Sequence, residues 1–229
     1  MSVAPAAGAA AVPFRYRLLA PDVPTGDRMP LVVFLHGAGE RGSDNAAQLA
    51  YLPTWLAAPT ERRRHPCFLL APQCRDESMW VDIPWGDTRS RPQQPRPTLD
   101  LQAVIAALDE VTATEPVDPR RIYLTGLSMG GYGTWDLAAR MPERFAALLP
   151  ICGGGDEATA TRIAGLPTWC FHGAADDVVP VERSRSMIAA VRAAGGTPRY
   201  SELPGVGHDS WTPAYRDAEV IDWLFAQRR

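Results

Sequence analysis

Continuous apolar runs alternate along this chain with segments whose apolar residues recur every three or four positions. The runs at 31–35, 67–71, 122–125, 146–152 and 168–171 have almost no polar face, the pattern of strands covered on both sides. Residues 200–203 form a weaker final run. Residues 14–19 alternate instead, as Phe-Arg-Tyr-Arg-Leu-Leu, which predicts a strand with one wet face at an antiparallel edge. Between these strands, Leu101, Val104, Ile105, Leu108 and Val111 fall at helical spacing, as do Met187, Ile188 and Val191 within 182–194. The pair Gly195-Gly196 then supplies a stop. A last helix is predicted over 216–228, with Val220, Ile221, Leu224 and Phe225 inward and basic residues at its C-terminal end, where the helix dipole favours them. Strands alternating with helices predict an α/β fold: a mainly parallel central sheet with helices on both faces.

Length and composition refine this picture. The chain has 229 residues, enough for one domain with a sizeable core. Alanine-rich residues 1–13 read as a flexible N-terminus and 14–229 as a single domain. Residues 73–97 fit no element, are rich in Pro, Arg and Gln, and contain Trp80 and Trp85. A loop this long is usually functional or mobile, and the two tryptophans predict a pocket wall rather than a surface loop pinned by aromatic anchors. Hydrophobic residues make up 46% and charged residues 21%, with a net charge of −3. That balance leaves no basic surplus for nucleic acid or an anionic membrane. No apolar run is long enough to span a bilayer.

Cys67, Cys74, Cys152 and Cys170 fit no zinc spacing. Four free thiols are expected, with a Cys67–Cys74 bridge as the local alternative. The N-terminus lacks the basic stretch of a secretion signal. A cytoplasmic protein is expected, with an exported form trimmed of its signal as the other reading.

The chemistry begins at Tyr123-Leu124-Thr125-Gly126-Leu127-Ser128-Met129-Gly130-Gly131. An apolar strand ends in Gly-x-Ser-x-Gly and enters a helix, the sequence form of a nucleophile elbow. Gly126 and Gly130 omit the side chains that would collide as strand and helix close on each other. The helix N-terminus behind Ser128 offers free N–H groups to a developing anion.

A serine hydroxyl needs an adjacent base, and the chain has four histidines. In α/β-hydrolases the order along the chain is Ser, then Asp or Glu, then His. His36 and His65 precede Ser128, and His172 directly ends a strand. His208 remains, in Gly207-His208-Asp209-Ser210-Trp211, between the last strand and the last helix. The acid is expected just past a strand, where Asp176 and Asp177 compete; Asp176 is the first choice, and spacing does not separate them. A tetrahedral intermediate also needs two N–H donors. Met129, after the nucleophile, is one candidate. The other lies in Leu35-His36-Gly37-Ala38-Gly39-Glu40-Arg41-Gly42, with Ala38 first and Gly37 close behind. His36 is expected to be a structural hydrogen-bonding residue.

Three motifs in this order resemble the α/β-hydrolase superfamily and, within it, the small phospholipase/carboxylesterase group, including esterases and peptidases near the prolyl-oligopeptidase type. The resemblance is carried by the 36–42 loop, the 126–131 elbow, His172-Gly173-x-x-Asp176-x-Val178-Val179-Pro180 and Gly207-His208. It implies that Asp176 is the triad acid, with Ser128 the nucleophile and His208 the base. Ala38 and Met129 are the expected oxyanion hole, and no large cap domain is expected, because the stretch between the elbow and Asp176 is too short to hold one. Met129 stands where acyl-protein thioesterases usually carry Gln, which points away from palmitoyl-protein substrates.

The expected function is therefore carboxylic ester hydrolysis through an acyl-enzyme, on a small-molecule ester with an aryl or short acyl group, without metal or organic cofactor. Gly37, Trp80, Trp85 and Trp211 are the expected pocket residues; Trp211 could equally pack on the last helix. A monomer or homodimer is expected, the latter through the strand at 14–19. A serine peptidase or aminoacyl hydrolase on the same scaffold is the first rival, although 229 residues leave no room for a gating domain. An acyl thioesterase ranks behind it. A dienelactone-type hydrolase ranks lower because such relatives tend to carry Cys at the elbow. A non-catalytic binding protein ranks last, since all three triad positions are filled. Arg62-Arg63-Arg64 reads as a solvated helix end, and Tyr132 and Trp135 as core.

Overall fold

A computed structural model of the protein describes residues 2–3, 14–22 and 26–229. Its strands are β1 (Ser2–Val3), β2 (Phe14–Leu19), β3 (Met29–Leu35), β4 (Phe68–Gln73), β5 (Val117–Leu127), β6 (Ala147–Ile151), β7 (Trp169–Gly173) and β8 (Arg199–Leu203). Its helices are α1 (Leu52–Leu56), α2 (Pro59–Arg64), α3 (Leu99–Thr114), α4 (Met129–Arg140), α5 (Ala160–Ile163), α6 (Glu182–Ala193), α7 (Trp211–Arg216) and α8 (Ala218–Ala226). The strands form one sheet in the order β1-β2-β4-β3-β5-β6-β7-β8. β2 runs antiparallel to both neighbours, and β3 through β8 are parallel. The mainly parallel α/β sheet predicted from the apolar runs is the sheet observed.

Period two explains the two cores. In β3, Leu31, Val33 and Leu35 face a layer that includes Leu101, Val104 and Leu108 of α3, Trp135 of α4 and Met187 and Val191 of α6. Val32 and Phe34 face the opposite layer, with Leu52 and Leu56 of α1, Tyr215 of α7 and Val220, Ile221 and Leu224 of α8. Burying each such side chain contributes roughly 1.5–3 kcal/mol before entropy is counted. Helix ends follow local chemistry: the Thr98 side chain accepts the Leu101 N–H at 3.2 Å and starts α3, an N-cap bond.

Three expectations need correction. β2 is the second strand of the sheet and not its edge, because Ser2 and Val3 pair with Arg15 and Phe14. The rest of the predicted N-terminal segment, residue 1 and residues 4–13, lies outside the described residues. The last helix is two helices: Asp217 breaks the run and caps α8 by accepting the Glu219 N–H at 2.8 Å. Arg228 and Arg229 lie beyond α8, so they do not complement its dipole; Arg228 instead reaches Asp118 at 3.4 Å.

All four cysteines are free and buried, and burial pushes the thiols of Cys67, Cys74 and Cys170 up to about 12. Arg62 and Arg64 pair with Asp22 and Asp222, so the triple-arginine helix end is partly neutralised. No helix among the described residues is long and apolar enough to cross a membrane.

Candidate active site

The elbow is built by close backbone approach. α4 begins one residue after Ser128, and Ser128 itself has φ 54° and ψ −119°, a conformation that L residues rarely adopt and that costs about 1–3 kcal/mol. A Cβ on Gly130 would lie 1.9 Å from the Leu35 carbonyl oxygen, and one on Gly126 would lie 2.4 Å from that of Gly130. Only glycine lets α4 press this tightly against the ends of β3 and β5. The Ser128 N–H is held by the Ile151 carbonyl at 2.9 Å, which fixes the turn to β6.

The structure brings Ser128, His208 and Asp176 together from three loops at the C-terminal ends of the parallel strands. Ser128 Oγ lies 2.9 Å from His208 Nε2, and His208 Nδ1 lies 2.8 Å from Asp176 Oδ2. A carboxylate only accepts, so His208 donates through Nδ1–H and leaves Nε2 free to accept from the serine. The Asp176 side chain is fully buried whereas Asp177 is exposed, a difference that spacing along the chain did not carry. Burial alone would raise the Asp176 carboxyl. Donors from His172, His208 and the N–H groups of Val179 and Val178 outweigh it and hold the group well below the usual carboxylate range.

The 36–42 loop folds against the elbow. A Cβ on Gly37 would meet the Leu127 side chain at 2.8 Å. His36 is fully buried; its Nε2 accepts the Cys74 N–H at 2.9 Å, and its Nδ1–H donates to the Gly37 carbonyl at 2.6 Å. That second bond fixes the Gly37–Ala38 peptide plane, and in a trans peptide the Ala38 N–H points away from the carbonyl so held. Arg41 braces the next peptide, donating to the Ala38 carbonyl at 2.9 Å. At the other side, Met129 opens α4, where a first-turn N–H has no partner within the helix.

Burial pushes the His36 imidazole down to about 4, so it is neutral in the fold. An unfolded histidine titrates near 6.5, hence the unfolded chain binds the extra proton between those values and stability rises with pH across that window. Acidifying from pH 7 to 5 is expected to remove about 2 kcal/mol through this one group. Thermal melts of wild type and His36→Gln at both pH values test this: the variant's pH slope should be flatter. Parallel slopes would show that His36 is not the source.

Of the expected pocket residues, Trp80 turns its indole towards the 36–42 loop. It is fully buried, donates its indole N–H to the His36 carbonyl at 3.0 Å and packs edge-on against the His36 ring. It braces the 36–42 loop from beneath, and the surface pocket it borders lies beside Asp136 and Arg140 rather than at Ser128. Gly37 is buried too, with its carbonyl taken by His36. Trp85 is half-buried with the Arg41 guanidinium 5.8 Å from its ring centroid. Trp211 packs edge-on against His208, ring centroids 5.2 Å apart. The 73–97 loop is pinned rather than free: Arg75 and Ser78 bond the buried Asp100, and the Gln93 N–H bonds Asp156. Tyr132 and Trp135 are buried, as expected for core.

Two further residues lie near the site, and one of them, Tyr51, escaped the sequence. Tyr51 has φ 62° and ψ −119°, nearly the angles of Ser128, and its ring lies 5.5 Å from Trp211. Val178 leaves its side chain exposed two residues after Asp176. Backbone strain has no residue-type signature, so Tyr51 could not have been read; Val178 was legible only as a position of the 172–180 motif.

The chain is 45% identical to a protein solved as the crystal structure of a thermostable esterase, with a TM-score of 0.87 over 95% of this chain and 60% of that one. It is 24% identical to an uncharacterized secreted protein of Arthroderma benhamiae over 79% of its length, and 27% identical to the bifunctional acetylxylan esterase/xylanase XynS20E of Neocallimastix patriciarum over 51%. It spans only 21% and 17% of those two relatives. Residues 88–218, more than half of the chain and including Ser128, Asp176 and His208, match the model of the Dienelactone hydrolase family. By that match the chain, an α/β-hydrolase, belongs to the dienelactone hydrolase family.

Proposed function

We propose that the protein is a serine carboxylic ester hydrolase that works through an acyl-enzyme on Ser128. The observation that carries this reading is the continuous Ser128–His208–Asp176 contact, at 2.9 and 2.8 Å, on a strained elbow. The likeness to a thermostable esterase at 45% identity supports the ester as substrate class. Ser128 Oγ attacks the ester carbonyl carbon while His208 Nε2 takes its proton. The N–H groups of Met129 and Ala38 hold the oxyanion, each donor worth about 3 kcal/mol in such sites. The imidazolium, stabilised by Asp176, gives its proton to the leaving alcohol, and a water activated by His208 then releases the acid. Trp211 packs against His208 and Tyr51 against Trp211, an aromatic flank that suits an aryl or short acyl ester. Membership of the dienelactone hydrolase family supports a second reading in which the ester is cyclic, a lactone; the elbow residue here is Ser128, which serves either ester. With p-nitrophenyl acetate, mixing enzyme and substrate should give a burst of p-nitrophenol equal to the enzyme concentration, followed by slower turnover. No hydrolysis of linear or cyclic esters would overturn the proposal.

A further inference from the structure

The mechanism above gives no role to buried His172. His172, at the end of β7, is fully buried, and its Nε2 lies 2.9 Å from the Val179 carbonyl and 3.2 Å from Asp176 Oδ2. Both neighbours of that nitrogen only accept, so Nε2 carries the proton and donates. Asp176 Oδ2 receives the His208 N–H at 2.8 Å and stands 3.2 Å from His172 Nε2, whose single N–H it shares with the Val179 carbonyl, while Oδ1 takes the N–H groups of Val178 and Val179, each at 2.9 Å. On its other side, His172 Nδ1 lies 2.7 Å from Ser184 Oγ, and Ser184 Oγ lies 2.9 Å from the Gly153 carbonyl. Gly153 in turn abuts the elbow helix: a Cβ there would sit 2.5 Å from the Gly131 carbonyl carbon.

We propose that His172 is a positioning residue for ester hydrolysis, acting through Asp176: its Nε2–H fixes the carboxylate so that Oδ2 faces His208. The proposal rests on the reading of Asp176 as the triad acid. Without His172 the carboxylate keeps its two backbone donors on Oδ1 but loses one of the two imidazole contacts that orient Oδ2. The chain His172–Ser184–Gly153 also ties the acid loop to the elbow, so the two ends of the relay share one frame. A purely structural role would need the Nε2 donor for the Val179 carbonyl but not its placement beside the same oxygen that His208 uses.

Two amides separate these roles. In His172→Gln the side-chain nitrogen can reach the former Nε2 position and still donate to Asp176. In His172→Asn the nitrogen stops near the former Nδ1 position and cannot. With p-nitrophenyl butyrate, the Asn variant should lose about 10- to 100-fold in kcat with KM little changed, the scale of one hydrogen bond to a charged group. The Gln variant should lose no more than a few-fold, and melting temperatures of both should establish that they are folded. The Asn effect should also shrink sharply in an Asp176→Asn background, because a residue acting through Asp176 has nothing left to orient. Equal losses in Gln and Asn variants, or an Asn effect undiminished in the double variant, would overturn the proposal. If either amide fails to fold, rate constants for phosphonate labelling of Ser184→Ala, which loosens His172 from its other side, supply the answer: a slowed rate supports the proposal and an unchanged rate overturns it. Wild type inert towards both ester and phosphonate would instead overturn the reading of the triad.

Discussion

Ser128→Ala is expected to lower kcat/KM on p-nitrophenyl acetate and butyrate by about 10,000-fold or more. Removing the nucleophile of such a triad leaves only the acceleration supplied by oxyanion donors and binding. The loss should fall on kcat, because the hydroxyl forms its new bond only as the carbonyl is attacked. Stability should move by less than about 1 kcal/mol: alanine keeps the Cβ and the same backbone strain, and a single solvent-side hydrogen bond to His208 disappears. Melting temperature and steady-state kinetics on the same preparation separate the two. A variant that melts with the wild type and still turns over at a tenth of its rate would remove Ser128 from the chemistry.

Gly130→Ala is expected to cost at least about 4 kcal/mol, the range reached when a side chain is forced into a space with no exit. The added methyl would lie 1.9 Å from the Leu35 carbonyl oxygen, 2.5 Å from the carbon bearing it and 2.8 Å from the His36 carbonyl oxygen. These are backbone atoms of β3 and of the loop that follows it, so no rotamer relieves the clash. For a chain of this size the melting temperature should fall by about 8–16 °C. Whatever folds should be nearly inactive, since moving α4 off β3 moves Ser128 and the 36–42 loop apart together. Gly165→Ala is the control: nothing lies within 4 Å of a Cβ there, and its melting temperature should stay within a few degrees. Similar melting temperatures for the two variants would mean that the elbow is not as tightly closed as described.

The same close approach explains why so much of the site is legible in the chain. Gly126, Gly130 and Ser128 are forced by geometry at fixed spacing, and a buried strand before them leaves few ways to read the run. The sheet was legible for the same kind of reason: β3, β5 and β6 are apolar on both faces because helices cover both. What escaped depends on direction rather than type. Spacing did not separate Asp176 from Asp177, which are identical in chemistry; the resemblance of 172–180 pointed to Asp176, and burial, set by how the turn after β7 folds, is the physical difference between them. An aromatic residue in a long loop has two uses, and Trp80 has both: it borders a surface pocket beside Asp136 and Arg140, and its indole N–H turns inward to a carbonyl of the 36–42 loop, which its residue type did not signal. His172 was set aside as a base because of its position, which was no guide to its contact with Asp176. The break at Asp217 is a capping choice made within an otherwise continuous helical pattern.

The central claim is a covalent bond between the acyl group and Ser128, and it is most directly tested by mass. Wild-type protein quenched in acid during the p-nitrophenyl butyrate burst should carry one added butyryl group, and fragmentation of its peptides should place that group on Ser128. An unmodified protein during an observed burst, or a butyryl group on any other residue, would contradict the account.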